Sequence, residues 1–87
     1  MKQYFVHYPR GFLNEYRLFY AETPEDFALL PAGAERITRR EAFALCARER
    51  RARKENPLFA GYADAYIFAA AWTGRGDIPR GYIFPRA

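Results

Sequence analysis

The sequence predicts a two-layer α+β domain in which one main α-helix packs against a small antiparallel sheet of about four strands. Three observations predict this fold class: aromatic runs near the start of the chain, one long amphipathic stretch in the middle, and turn-forming residues between them. The chain has 87 residues, which suits a single domain, residues 1–87. Eight Phe, seven Tyr and one Trp supply the large side chains that so small a core needs.

Two strands are predicted ahead of the main helix. The first lies in KQYFVHY, residues 2–8, where strand-forming side chains crowd together without a helical period. The second is EYRLFYA, residues 15–21, which alternates so that Tyr16, Leu18 and Tyr20 share one face. Turn-forming residues separate the two runs, so we expect an antiparallel pair.

A single helical turn is expected next, in TPEDFALLPAG. Thr23 suits the N-cap and Pro24 the first helical position. Phe27 and Leu30 would then point inward. The following residues, 34–37, predict a short extended piece that leads into the main helix.

The main helix is predicted between Ile37 and Asn56. Thr38, with Glu41 three residues later, has the pattern of a capping box at its start, and Pro57 ends it. Cys46 is the only cysteine, and we expect it to be a small buried hydrophobe rather than a nucleophile. The predicted buried stripe consists of Ala42, Leu45 and Cys46, with Phe43 at its edge.

Residues 60–72 allow two interpretations, a second helix or a loop followed by a strand. Ala63, Tyr66, Ile67 and Ala70 fit a helical stripe. Against the helix, Tyr-Ile-Phe at 66–68 recurs at 82–84, with loop-forming residues between. We therefore prefer two strands, at about 65–72 and 81–85.

The positive charge of the chain is concentrated in the main helix. Net charge is +4, but Arg36 to Lys54 holds eight basic and two acidic residues, a local charge of +6. On a helical wheel one basic stripe lies opposite the buried stripe, where guanidinium groups would reach phosphates or carboxylates. The alternative is that cations near the helix end only stabilise its dipole. The candidate partner-binding cations are Arg40, Arg48, Arg51 and Lys54.

Tyrosines provide a second candidate surface. On an exposed sheet face, Tyr16 and Tyr20 would anchor a protein partner or stack on unpaired bases. The alternative is that tyrosines merely cover an open face with amphipathic side chains.

The sequence shows no enzyme signature. His7 is the only histidine, and no glycine-rich phosphate loop, paired carboxylates or nucleophile–base arrangement accompanies it. We therefore predict no catalytic residue, no metal and no cofactor. No apolar run approaches about 18 residues and no basic-then-apolar leader opens the chain, so we also expect no membrane span and a cytoplasmic location.

One stretch has the pattern LPxGxxxIxRxEA from Leu30 to Ala42, followed by ARERRARKENPLFAGYAD from Ala47 to Asp64. This pattern resembles short proteins carried by phages and prophages, of which the anti-CRISPR proteins are the best-understood class. The resemblance implies a non-enzymatic inhibitor that binds a host nucleoprotein complex, such as a CRISPR effector, in the host cytoplasm. Many anti-CRISPR proteins are acidic mimics of DNA, and the +6 helix departs from that pattern. Docking on an acidic protein surface, or on nucleic acid directly, is then the expected mode.

The alternative interpretation is a basic nucleic-acid-binding module that acts through the arginine face of its main helix. Salt dependence separates the two, because direct phosphate contacts make affinity fall steeply with ionic strength. The sequence leaves the target and the oligomeric state open.

Overall fold

The computed structural model describes residues 1–11, 15–55 and 65–70. Within them lies a four-stranded sheet with the strand order β3-β1-β2-β4, together with one long and one short helix. The predicted fold class, a small α+β domain with one main helix and one short helical turn, is confirmed. The elements in chain order are β1 (Gln3–His7), β2 (Arg17–Ala21), α1 (Pro24–Ala28), β3 (Glu35–Ile37), α2 (Arg39–Glu55) and β4 (Ile67–Ala69).

The sheet is mixed rather than antiparallel throughout. Strand β1 pairs antiparallel with β2 and with β3, placing Val6 between Leu18 and Glu35. Strand β4 instead lies parallel to β2, with Ile67 beside Leu18. A parallel pair needs a long crossover connection, and the chain between β2 and β4 contains the whole of α2. The expectation of an all-antiparallel sheet is therefore wrong for its last pairing.

Of the two interpretations for residues 60–72, the strand is confirmed where the structure describes them, at Ile67–Ala69. Residues 60–64 and 71–72, the proposed strand at 81–85 and the helix-ending Pro57 lie outside the described residues.

Both helices begin with reciprocal hydrogen bonds. The sequence predicts this capping box at α2, whereas at α1 it predicts only that Thr23 is the N-cap. At α2 the backbone N–H of Glu41 donates to Thr38 Oγ1 over 3.0 Å, and the Thr38 N–H donates to Glu41 Oε1 over 3.4 Å. At α1 the pair is Thr23 and Asp26, both bonds being 3.2 Å long. Backbone N–H groups of Glu22 and Thr23 lower the pKa of the Asp26 carboxyl. These bonds fix where each helix starts, because they satisfy backbone donors that lack partners inside the helix.

The main core lies between α2 and one face of the sheet. Ala42 and Cys46 are fully buried, so the predicted stripe is confirmed at its centre, whereas Leu45 and Phe43 are half-buried at its edges. The Phe43 ring meets Tyr4 edge-on, with centroids 5.9 Å apart. The buried members of this cluster are Tyr4, Val6, Tyr16, Leu18, Ala42, Cys46 and Ile67.

The opposite face of the sheet is also covered. Phe5, Phe19 and Phe68 lie side by side across β1, β2 and β4 and are 8 %, 6 % and 3 % exposed. The segment around α1 packs against this face, with the Phe27 ring edge-on to Phe5 at a centroid distance of 5.8 Å and Leu30 against the buried side chains of Phe5, Ala21 and Ala70. The sheet therefore buries aromatic side chains on both sides. No described helix has the length and apolar character needed to cross a membrane.

Candidate functional site

The side of α2 that points away from the sheet carries three cations, Arg40, Arg51 and Lys54, which we call the outward basic face. Arg40 and Arg51 lie there because α2 buries Ala42 and Cys46, and about 100° of rotation per residue places these two cations on the other side of the helix, with Lys54 at the border of that side. All three side chains are exposed. Among the described residues none of the three makes an ion pair or a hydrogen bond. Their charges are therefore available to an external anion.

The outward basic face is long and unobstructed. Arg51 and Lys54 are one turn apart, and Arg40 lies eleven residues before Arg51, about 16 Å along the axis at about 1.5 Å per residue. Ala44, which lies between them, is exposed and too small to block an approaching surface. Near the end of the helix, Arg50, Arg51 and Lys54 border a cleft of about 420 Å³ together with Ala47.

Other basic side chains of α2 are engaged within the fold. The Arg39 guanidinium lies 4.5 Å from the centroid of the Phe43 ring, a stacking contact favourable to a cation. Arg50 and Arg53 are half-buried and interact with neighbouring groups. The net charge counted over this segment of the sequence is therefore larger than the charge that faces outward, because only some of its cations are available to a partner.

Arg48 differs from the other three predicted cations. Its side chain is exposed, but it lies beside the Tyr16 hydroxyl and borders a groove between α2 and β3. We therefore place Arg48 at the edge of the basic surface, on the flank of α2, rather than on the outward basic face.

Tyr16 is not the exposed residue that the sequence suggested. It is 4 % exposed, and Tyr8 packs against it with ring centroids 5.9 Å apart. The register of β1 and β2 places alternate side chains on the side that α2 covers, so their tyrosines face the helix. Tyr20 is half-buried on that side, and Lys2 Nζ lies 5.0 Å from the centroid of its ring. The expected tyrosine platform on an open sheet face is therefore wrong, Tyr16 being core and Tyr20 only partly accessible.

The Tyr16 hydroxyl is buried without a well-formed hydrogen bond to any described residue. Burial raises its pKa, the charge of Glu49 adds to the rise, and the nearby Arg48 guanidinium opposes it. The folded state therefore favours the neutral phenol. This contribution to stability is complete below the unfolded pKa of about 10 and is lost as pH rises through the higher folded value.

Replacing Tyr16 with Phe should leave the free energy of unfolding at pH 7 unchanged or slightly higher, because a buried hydroxyl without a good partner contributes little. The variant should also lose less stability than the parent when urea melts are repeated above pH 10. Tyr20→Phe, at a half-buried position, is the matched control. A loss of more than about 1 kcal/mol at pH 7 for Tyr16→Phe would show that the hydroxyl is well bonded in the protein.

The sequence did not reveal the groove on the flank of α2, because its two walls come from elements that only the fold brings together. One wall is a row of α2 side chains and the other is the edge of the sheet at β3 and β1. Its volume is about 470 Å³. The residues that line this flank groove are Val6, Tyr8, Glu35, Ile37, Glu41, Ala44, Leu45 and Arg48.

The described residues show no group of three or more His, Cys, Asp or Glu side chains placed to hold a metal ion. His7 is half-buried at the end of β1. Cys46 is buried in the core, as predicted. No protein-family model matches this chain, and no curated protein or solved structure matches it either.

Proposed function

We propose that this protein is a small non-enzymatic interaction protein that binds a polyanionic surface of a host nucleoprotein complex and blocks its function, in the manner of an anti-CRISPR protein. The outward basic face would make the contact. The observation that supports this is the presence of three exposed cations on one side of α2, none of which has an ion-pair or hydrogen-bond partner among the described residues.

The surrounding fold favours binding over a purely structural role for these charges. Cations near a helix C-terminus stabilise its dipole within the last turn, which is a sufficient reason for Lys54 but not for Arg40, in the first turn of α2. A cation at that end is disfavoured by the dipole, so helix stability does not explain the presence of Arg40. Binding to an external acidic or phosphate-bearing surface would explain it, since guanidinium groups pair well with both carboxylates and phosphates.

A charge reversal placed on or off the outward basic face tests the proposal. Arg51→Glu and Arg36→Glu change the net charge equally, but Arg36 lies on β3 beside Phe5, on the side of the sheet away from α2. We expect Arg51→Glu to weaken inhibition of a CRISPR effector by about tenfold or more, and Arg36→Glu by less than about twofold. The readout is phage plaque formation on a host with active CRISPR immunity, followed by effector-binding measurements on the purified protein.

Both variants should fold normally, because exposed substitutions usually change stability by no more than about 0.5 kcal/mol. Circular dichroism and a thermal melt establish this first. Equal activity of the two variants would show that net charge, and not the outward basic face, determines binding. An absence of inhibition by the parent protein against a panel of effectors would overturn the inhibitor proposal itself.

Direct binding of nucleic acid is the second candidate function, and the spacing of the cations favours it. The separation of Arg40 from Arg51, about 16 Å along the helix, would let both ends of α2 reach phosphates of one duplex. With three phosphate contacts, affinity for a short DNA duplex should fall about 40-fold between 50 and 200 mM salt. A shallow salt dependence, or no measurable binding to the duplex, would favour the protein partner instead.

A further inference from the structure

We propose that the flank groove is a self-association surface, in which α2 of one copy packs antiparallel against α2 of a second copy about a two-fold axis. This inference is independent of the proposed function. It rests on the side chains that line the groove and on their order along the helix.

The groove presents half-covered apolar side chains at the outer edge of the described sheet. Ile37, Leu45 and Tyr8 are each half-buried, and Val6 forms the buried floor. Strand β3 is the last strand on that side of the described sheet and pairs only with β1. The side chains at its rim, Glu35, Glu41 and Arg48, are exposed, so a partner can approach this apolar surface from the side.

The charges on the α2 wall are self-complementary. Glu41 lies at one end and Arg48 at the other, seven residues or about two turns apart, with Ala44 and Leu45 between them. An axis that passes between Ala44 and Leu45 brings Glu41 of each copy opposite Arg48 of the other. The same axis places Ala44 opposite Leu45, a small side chain against a large one. An isologous contact requires this kind of pairing, in which one patch complements itself.

The direction of α2 over the sheet makes the arrangement feasible. Phe43 contacts Tyr4 near the start of β1, whereas Arg48 lies beside Tyr16, which packs on Tyr8 just beyond the end of β1. The helix thus runs along β1, and its flank faces the β3 edge over its middle turns. A two-fold axis perpendicular to the sheet would join two such edges and leave both outward basic faces on the same side of the dimer.

An acidic or basic peptide from another protein fits the groove less well. Its rim carries both signs, with Glu35 and Glu41 against Arg48, so a segment of one charge would meet repulsion at one end. A second copy supplies both signs in the required order.

Sedimentation equilibrium of the full chain tests the inference. The parent protein should show a monomer–dimer equilibrium between about 10 and about 500 µM, since a small interface gives weak association. Arg48→Glu should raise the dissociation constant at least tenfold, because it sets two acidic side chains against each other. Arg51→Glu makes the same charge change on the outward basic face and should alter the constant less than twofold.

Mixing complementary variants gives the decisive measurement. Arg48→Glu and Glu41→Lys should each be monomeric alone, because in a dimer of either variant the substituted side chain would face a like charge on the second copy. Their equimolar mixture should form a heterodimer, in which both opposed pairs are again of opposite sign. Glu41 also accepts the Thr38 N–H, so circular dichroism must first show that Glu41→Lys is folded; if it is not, Ala44→Arg, at an exposed position, replaces it and should be monomeric.

Three results would overturn the inference: a parent protein that stays monomeric throughout this range, a dimer that Arg48→Glu leaves intact, or two folded charge variants that fail to associate when mixed. If the groove binds a different protein instead, the purified parent protein would stay monomeric, which is the first of these results.

Discussion

Replacing Leu18 with Ala should lower the free energy of unfolding by about 2–5 kcal/mol, the usual range for a leucine truncated in a core. Leu18 is completely buried in β2, with Val6 on one neighbouring strand and Ile67 on the other. The substitution leaves a cavity where three strands and α2 meet, and the flanking strands cannot close it without losing register. An 87-residue domain has a total stability of only about 4–13 kcal/mol. We therefore expect a large part of the variant to be unfolded near physiological temperature.

Leu29→Ala is the matched control for this substitution. Leu29 follows α1 and is 56 % exposed, so the same chemical change should cost no more than about 0.5 kcal/mol. Urea melts of both variants, followed by far-UV circular dichroism, make the comparison. Similar midpoints for the two would mean that Leu18 is not at the centre of the core.

Local sequence rules predicted much of this fold because the interactions involved are themselves local. The capping box at Thr38 joins residues three apart, the N-cap Thr23 directly precedes its helix, and the alternation of β2 follows from the pleat of one strand. The buried positions of α2, Ala42 and Cys46, follow from its own periodicity.

The parallel pairing of β4 was not predictable in the same way. The run Ile67-Phe68-Ala69 lacks the alternation of a strand with one solvated face, because both of its faces are buried. A short apolar run of this kind fits a helix, an antiparallel strand or a parallel strand equally well. Its position beside β2 depends on the crossover through α2, which is a property of the whole chain.

The same distinction between local and long-range interactions applies to the candidate site. A helical wheel was enough to place Arg40 and Arg51 opposite the core and Lys54 at the border of that side, since this depends on α2 alone. It did not separate Arg48 from them, because Arg48 is distinguished by Tyr16, a residue of the distant β1–β2 connection. The mistaken expectation for Tyr16 has the same origin. Alternation showed which residues share a face, but not which face the helix covers.

The covering of the second sheet face leads to the other large effect that we expect. Phe19→Ala should lower the free energy of unfolding by about 3–5 kcal/mol, the range for a phenylalanine removed from a core. Phe19 lies between Phe5 and Phe68 in the row that crosses three strands, and it is 6 % exposed. If this face were open to solvent, as a sheet with a single covering helix would leave it, the change would cost far less.

Phe27→Ala measures the contribution of the segment that covers the row of phenylalanines, apart from the contribution of the row itself. Phe27 is 37 % exposed and meets the row edge-on at Phe5, a contact worth about 0.5–1.5 kcal/mol beyond its area. We expect a loss of about 1–2 kcal/mol for Phe27→Ala, clearly smaller than that for Phe19→Ala. Thermal and urea melts of the two variants measure the difference. If Phe19→Ala lowers the free energy of unfolding no more than Phe27→Ala does, only the face under α2 forms a core. The row of phenylalanines would then add little to the stability of the domain.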